Sequence, residues 1–343
     1  MKYYNYNRLI HLKDRNGKTP SVFLVTNNRT AGKTTGILKL CLDDYFKKGR
    51  TFVLLFRNMY EIKSTHLLFE DVCEIYFENL EIQSVSEADG LFYRLVIQGD
   101  KTIGFALCLK KSDNLKKYSA VFRNVFNIVF DEYQLESRHY IKDEVMKLES
   151  LLITISRGKG ELVRYTRLFL LGNPYDNINP YYFKWNIWRR LQPNTRVLRG
   201  DGWVGDFTLN EEASKAIGES AHSHAFNSDY TSYAKNASYL HDQRDFVENI
   251  KGHFIPLFQL SYEGNYATVG KTKNKIHVKE EERKFDYELF AFSTDRVDED
   301  TKVIKKTKPL YKTLLTSYQA HKITFNSLRA KEIFIANIVE NYH

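Results

Sequence analysis

The stretch VFLVTNNRTAGKTTGILKL, from Val22 to Leu40, constrains the fold of this chain more than any other. Apolar, β-prone residues run from Ser21 to Val25 into a short loop. The loop opens a segment whose apolar residues Leu38, Leu42, Tyr45 and Phe46 recur at helical spacing until Gly49 stops them. A strand that turns directly into a helix aims backbone N–H groups at one point, where a phosphate is held. Gly32, Lys33 and Thr34 supply the end of a GxxxxGK[ST] phosphate loop in the strand-to-helix context that the motif requires. The pattern departs at Asn27, where glycine is usual. Asparagine is among the few other residues that tolerate left-handed backbone, so the loop remains workable. The candidate cradle for ATP is therefore Asn27, Asn28, Arg29, Thr30, Ala31, Gly32, Lys33, Thr34 and Thr35, with the Thr34 hydroxyl placed for Mg2+.

A second strand begins at Thr51 (TFVLLFRN), so strand, helix and strand form a βαβ unit with a parallel sheet. A helix carrying Ile62, Phe69, Val72, Ile75 and Tyr76 is expected next. A hairpin turning at Gly99-Asp100 and a lysine-bearing loop, KKSDNLKK, follow it. VFNIVFDEYQ is an apolar strand ending in Asp131 and Glu132. One carboxylate there would join the Mg2+ shell and the next would orient the attacking water; taken alone, the same residues read as a buried strand ending in a solvated acidic turn. A helix through Ile141, Val145, Leu148, Leu152 and Ile155 leads to SRGKGE, and TRLFLLGNP adds another buried strand.

These alternations predict a three-layer α/β domain over residues 1–198, a linker of short helices without strands over 199–251, and a smaller α+β domain over 252–343. A chain of 343 residues is long enough for two such cores. Cys41, Cys73 and Cys108 have no CxxC or CxxH neighbour and read as buried thiols. No apolar run is long enough to span a membrane, and the start lacks a signal-peptide core, which places the protein in the cytoplasm. A net charge of +9 favours a polyanionic partner, with nucleic acid the first candidate.

Arg29 in the phosphate loop, the Asp131-Glu132 pair, Arg57 in LLFRN and the strand end Gly172-Asn173-Pro174 together resemble the additional-strand catalytic glutamate (ASCE, RecA-like) ATPases of viral DNA packaging, the large-terminase class. The resemblance is similar in detail to the packaging ATPases of small protein-primed tailed phages, and it covers Ser21 to Pro174. It implies ATP hydrolysis with Mg2+ and a homomeric, pentameric ring moving double-stranded DNA through a portal into a procapsid. A structural RNA is a further docking partner, and the setting is the cytoplasm of an infected bacterium. On that basis Lys33 and Glu132 are catalytic, Thr34 and Asp131 hold the metal, and Arg57 and Asn173 contact nucleotide. Arg157 would act on a neighbour's ATP, with Arg164 the alternative; either arginine also reads as a surface charge capping the helix that ends near Ser156. Lysines Lys110, Lys111, Lys116 and Lys117 are candidate DNA contacts, or else a solvated loop.

The same class implies an RNase H-like C-terminal domain. Glu263 stands near the expected first carboxylate, and Asp295, Asp298, Glu299 and Asp300 fall in a polar segment, so the expectation is a vestigial nuclease. It would bind nucleic acid through Lys271, Lys273 and Lys275 and through KVIKKTK, Lys302 to Lys308. A terminase with an active nuclease, a helicase without a capsid partner and a binding module with an inactive ATPase fold are the alternative functions.

Overall fold

The computed structural model describes residues 4–136, 140–157, 162–177, 179–188, 190–191, 195–226, 229–236, 239, 247–248, 252–262, 264–273, 275–291, 301–303, 308–320 and 322–339. The chain divides into two compact units, residues 1–241 and 242–343. This division differs from the expected boundaries at 198 and 252.

The first unit begins with a short helix α1 (Tyr6–His11), strand β1 (Val22–Thr26), helix α2 (Lys33–Lys48) and strand β2 (Thr51–Phe56). Gly49 ends α2 in the left-handed conformation, φ 63°, which glycine adopts without steric cost. The single helix expected around Ile62 to Tyr76 is broken into α3 (Met59–Ile62), a 3-10 turn (Thr65–Phe69) and α4 (Glu70–Tyr76). Asn58 and Glu61 form a capping box that starts α3, and the 3-10 turn then redirects the chain. Strands β3 (Gln83–Glu87), β4 (Phe92–Ile97) and β5 (Lys101–Cys108) follow, then a short turn of helix α5 (Ser112–Leu115), β6 (Val125–Phe130), α6 (Glu144–Ile155), β7 (Arg167–Gly172) and α7 (Pro180–Lys184). The lysine-bearing stretch is thus wound into helical turns rather than an open loop. Strands β8 (Val197–Arg199) and β9 (Trp203–Asp206) precede helices α8 (Glu211–Gly218), α9 (Ala221–Phe226) and α10 (Asp229–Asn236).

Nine strands form one sheet in the order β3-β4-β5-β2-β6-β7-β1-β9-β8. Its centre is parallel, with β7 lying between β1 and β6. The expectation of no strands after residue 199 is corrected by β9, which pairs parallel with β1 and continues the sheet. Its signal is weak because a four-residue strand that ends in an acid offers little periodicity. Once inside, Asp206 is buried and accepts hydrogen bonds from Tyr4 Oη at 2.7 Å and Arg8 Nη1 at 2.8 Å, which ties the N-terminus to the sheet. The core is built of both-face-buried strand residues such as Phe23, Val25, Phe52, Leu54, Phe169 and Leu171, covered by Ile37, Leu38 and Cys41 of α2. Cys41 and Cys108 are buried and Cys73 half-buried, all as free thiols.

The second unit holds a six-stranded mixed sheet. Strands β10 (Ile255–Tyr262), β11 (Asn265–Lys271) and β12 (Ile276–Glu281) form the expected meander. Strands β13 (Leu289–Ala291), β14 (Thr301–Val303) and β15 (Ile323–Phe325) complete the order β14-β13-β10-β11-β12-β15, in which β11 alone is reversed. Helices α11 (Pro309–Gln319) and α12 (Leu328–Phe334) bury Leu314, Leu315, Ile333 and Phe334 in its core.

Candidate active site

Parallel pairing brings three strand ends to one edge. Thr26 of β1 sits in register with Gly172 of β7, and Phe130 of β6 lies one strand further on, opposite Leu170. The residues that follow each strand, Asn27, Asn173 and Asp131, therefore converge. The sequence-predicted candidates from all three motifs meet there.

The loop wraps tightly from Asn27 to Lys33. Thr30 and Gly32 have positive φ, 56° and 70°, and Gly32 is the N-cap of α2. Lys33 is buried, and its ammonium donates to the Asn28 carbonyl at 3.1 Å, the Asn27 carbonyl at 3.4 Å and Asn173 Oδ1 at 2.9 Å. Burial pulls its pKa down to about 8, and the charge of Arg29 adds to the fall against the pull of Asp131 and Glu132. Thr34 Oγ1 donates to Asp131 Oδ2 at 2.6 Å. The other Asp131 oxygen accepts the Glu132 N–H at 2.9 Å. Burial raises the pKa of Asp131. The Glu132 pKa is raised too, first by burial and then by the negative charge of Asp131. Glu132 keeps part of its surface exposed and is left-handed, φ 53°, a backbone conformation that non-glycine residues hold only when neighbours fix it.

Arg57, a candidate nucleotide contact, does the fixing. Its guanidinium is buried, donating from Nε and Nη2 to both Glu144 oxygens at 2.8 and 2.7 Å, from Nη1 to the Glu132 carbonyl at 2.9 Å and from Nη2 to the Tyr133 carbonyl at 3.0 Å. These bonds commit the fork to the backbone that carries the glutamate. Tyr181 Oη adds a 2.5 Å bond to Glu144. Glu144 and Tyr181 were not expected at the site, because no local motif ties a residue 87 positions away to Arg57.

A buried hydroxyl cluster lies under the same turn. Tyr133 Oη meets Thr26 Oγ1 at 2.6 Å, and Gln134 Nε2 donates to Tyr133 Oη at 3.0 Å and Tyr182 Oη at 2.9 Å. A Cβ on Gly172 would come within 2.9 Å of the Tyr133 ring, so only glycine fits there.

Arg29 leaves the loop sideways. Its Nη2 donates to Tyr175 Oη at 2.5 Å, and Glu136 lies 3.8 Å away. Burial opposes its charge, but the hydroxyls of Tyr233 and Tyr175 outweigh that and raise its pKa. Asn27 is buried with its Oδ1 unpartnered, while Asn28 is buried with both side-chain groups bonded to Asn210. Ala31 is buried and Thr35 half-buried.

Arg157 is exposed, just past the C-terminus of α6. Glu144 starts that helix and is joined through Arg57 to the Glu132 turn, so twelve residues of helix, about 18 Å, lie between Glu144 and Arg157. Arg164 is committed elsewhere, donating to the carbonyls of Val125, Phe122 (3.0 Å) and Ile155 (2.6 Å) at the opposite end of β6, which accounts for it structurally. Lys110, Lys111, Lys116 and Lys117 are exposed, and Lys116 pairs with Asp113. In the second unit Lys271, Lys273 and Lys275 project from the exposed β11–β12 hairpin, with Lys275 3.3 Å from Glu248. Glu263, Asp295, Asp298, Glu299 and Asp300 lie outside the described residues, among which no metal-binding carboxylate cluster occurs.

The profile of the podovirus DNA encapsidation protein (Gp16) family matches residues 1–339. The chain belongs to that family. No curated protein matches it in sequence. Among solved structures, the Phi-28 gp11 DNA packaging motor is similar over 99% of both chains at 19% identity, with a TM-score of 0.67. The bacteriophage Phi-29 viral genome packaging motor assembly is similar over 96% of this chain and 97% of that one, at 21% identity and a TM-score of 0.66. These likenesses show a shared fold in both units. The chain is therefore a DNA-packaging ATPase of this family. Among the described residues no helix is long and apolar enough to cross a membrane.

Proposed function

We propose that copies of this chain form a ring, a pentamer, that uses ATP and Mg2+ to drive double-stranded DNA through a portal into a procapsid in the host cytoplasm, with the portal or a structural RNA as docking partner. The observation that carries the ring is Arg157. It is exposed and lies about 18 Å of helix beyond Glu144, whose end of the helix is joined through Arg57 to the Glu132 turn, so any part it takes in hydrolysis is played at a neighbouring copy's cradle.

Within each cradle, Lys33 turns from the loop carbonyls and Asn173 to the outer phosphates of ATP, and Glu132 orients water for in-line attack. Thr34 and Asp131 offer two hard oxygen donors side by side, a set that suits Mg2+. Held by Thr34 and Asp131, the ion would offset the charge of the phosphates. Arg57 keeps the Glu132 turn in place through its main chain. Lys110, Lys111, Lys116 and Lys117 in the first unit, and Lys271, Lys273 and Lys275 in the second, would contact DNA phosphates without reading sequence. The second unit acts as a vestigial, RNase H-like nucleic-acid-binding domain.

Mixing subunits tests the reading. Arg157→Ala and Glu132→Gln chains, each inactive alone, should recover part of the hydrolysis when combined, because some boundaries then pair an intact arginine with an intact glutamate. No recovery at any ratio would refute action across subunits.

A further inference from the structure

Two adjacent residues of the phosphate loop are held by opposite ends of one helical module. At the near end, the Asn28 side-chain amide pairs with the backbone of Asn210: Nδ2 donates to the Asn210 carbonyl and Oδ1 accepts its N–H, each at 3.0 Å. Asn210 is in turn the N-cap of α8, its own Oδ1 accepting the Ala213 N–H at 3.0 Å. At the far end, Arg29 donates to Tyr175, whose ring stacks on Tyr233 of α10 with centroids 5.4 Å apart. The two ends are joined. Ile217 of α8 packs against Tyr175, Tyr233 and Ala234, and Gly218 lies so close to Lys235 that a Cβ there would meet its side chain at 2.9 Å.

We propose that helices α8 and α10 form a bracket on the phosphate loop, with Asn28 and Tyr233 as its two positioning residues, and that the bracket holds the loop in its nucleotide-binding shape. The bracket rests on the ATPase reading of the cradle and is independent of the ring and of DNA. Asparagine at position 28 provides what glycine there cannot: a side chain that fastens the loop from outside. Releasing either end lets the loop sample shapes that do not bind, and apparent affinity falls by the fraction of competent loop that remains.

The test is equilibrium binding of a fluorescent ATP analogue, and steady-state hydrolysis, by the full chain without DNA. Asn28→Ala and Tyr233→Leu are each expected to weaken binding about tenfold, the scale of one or two lost hydrogen bonds or a lost stacked contact. Tyr233→Leu, which lies outside the cradle, should raise KM while leaving kcat near wild type, because bound phosphates re-form the loop. The double variant should bind no more weakly than the weaker single variant, since a bracket opened at one end is already open. Tyr233→Leu binding as wild type, or effects that multiply in the double variant, would overturn the bracket. Lys33→Ala binding as wild type would instead overturn the cradle itself, so the two failures are distinguishable.

Discussion

Thr34 Oγ1 donates to Asp131 Oδ2 across 2.6 Å, joining the phosphate loop to the acidic strand end over 97 residues of sequence. The pair is the point at which two independently recognisable motifs become one site. Thr34→Val keeps the shape and removes the hydroxyl. It is expected to reduce ATP hydrolysis on the order of a hundredfold, the scale of losing one well-placed polar group at a reacting centre. Titrating Mg2+ into the hydrolysis assay checks the cause, since the variant should need more of it.

Arg57 gives a contrasting prediction, because its bonds run to protein rather than toward a ligand. Arg57→Ala removes the cation paired with the buried Glu144 carboxylate and the guanidinium donors to two carbonyls. Breaking a buried ion pair from one side costs about 3–5 kcal/mol, so urea unfolding should show a loss of that order. Hydrolysis by the remaining folded protein should fall as the Glu132 turn relaxes, with nucleotide affinity changing less than kcat.

The pKa of Lys33 is depressed, so its charge is lost as pH rises through about 8 in the free enzyme. Since kcat/KM reports the free enzyme, its profile should fall on the alkaline side near that pH. Lys33→Arg stays charged throughout and should lack this limb, even with lower activity. On the acid side, the raised pKa of Glu132 moves the decline to a higher pH than an ordinary glutamate would give. A flat kcat/KM from neutrality to pH 9 in wild type would contradict the buried-lysine argument.

What could be read from sequence follows the physics of each element. Strands β1, β2, β6 and β7 are buried on both faces, so their apolar runs and the residues at their ends stand out. Lys33, Thr34, Asp131 and Asn173 are therefore legible in the sequence alone. Arg57 stands out at the end of an apolar run, whereas Glu144 does not, since only the fold brings the two together. Asn210 and Tyr233 carried no signal at all: one is a helix cap in a polar stretch and the other a single aromatic residue on a weakly periodic helix. The break between Ile62 and Glu70 was hidden by apolar residues that keep helical spacing across it. β9 was missed because it is short, and its burial depends on pairing with β1.

The central claim is that hydrolysis at this cradle powers DNA movement into a shell. Portal-bearing procapsids incubated with DNA, ATP and this protein, then treated with nuclease, measure it directly. Wild-type protein should leave protected full-length DNA. Glu132→Gln, in which hydrolysis is expected to fall about 10²- to 10⁴-fold, should leave none. Protection by Glu132→Gln at the wild-type level would contradict the account.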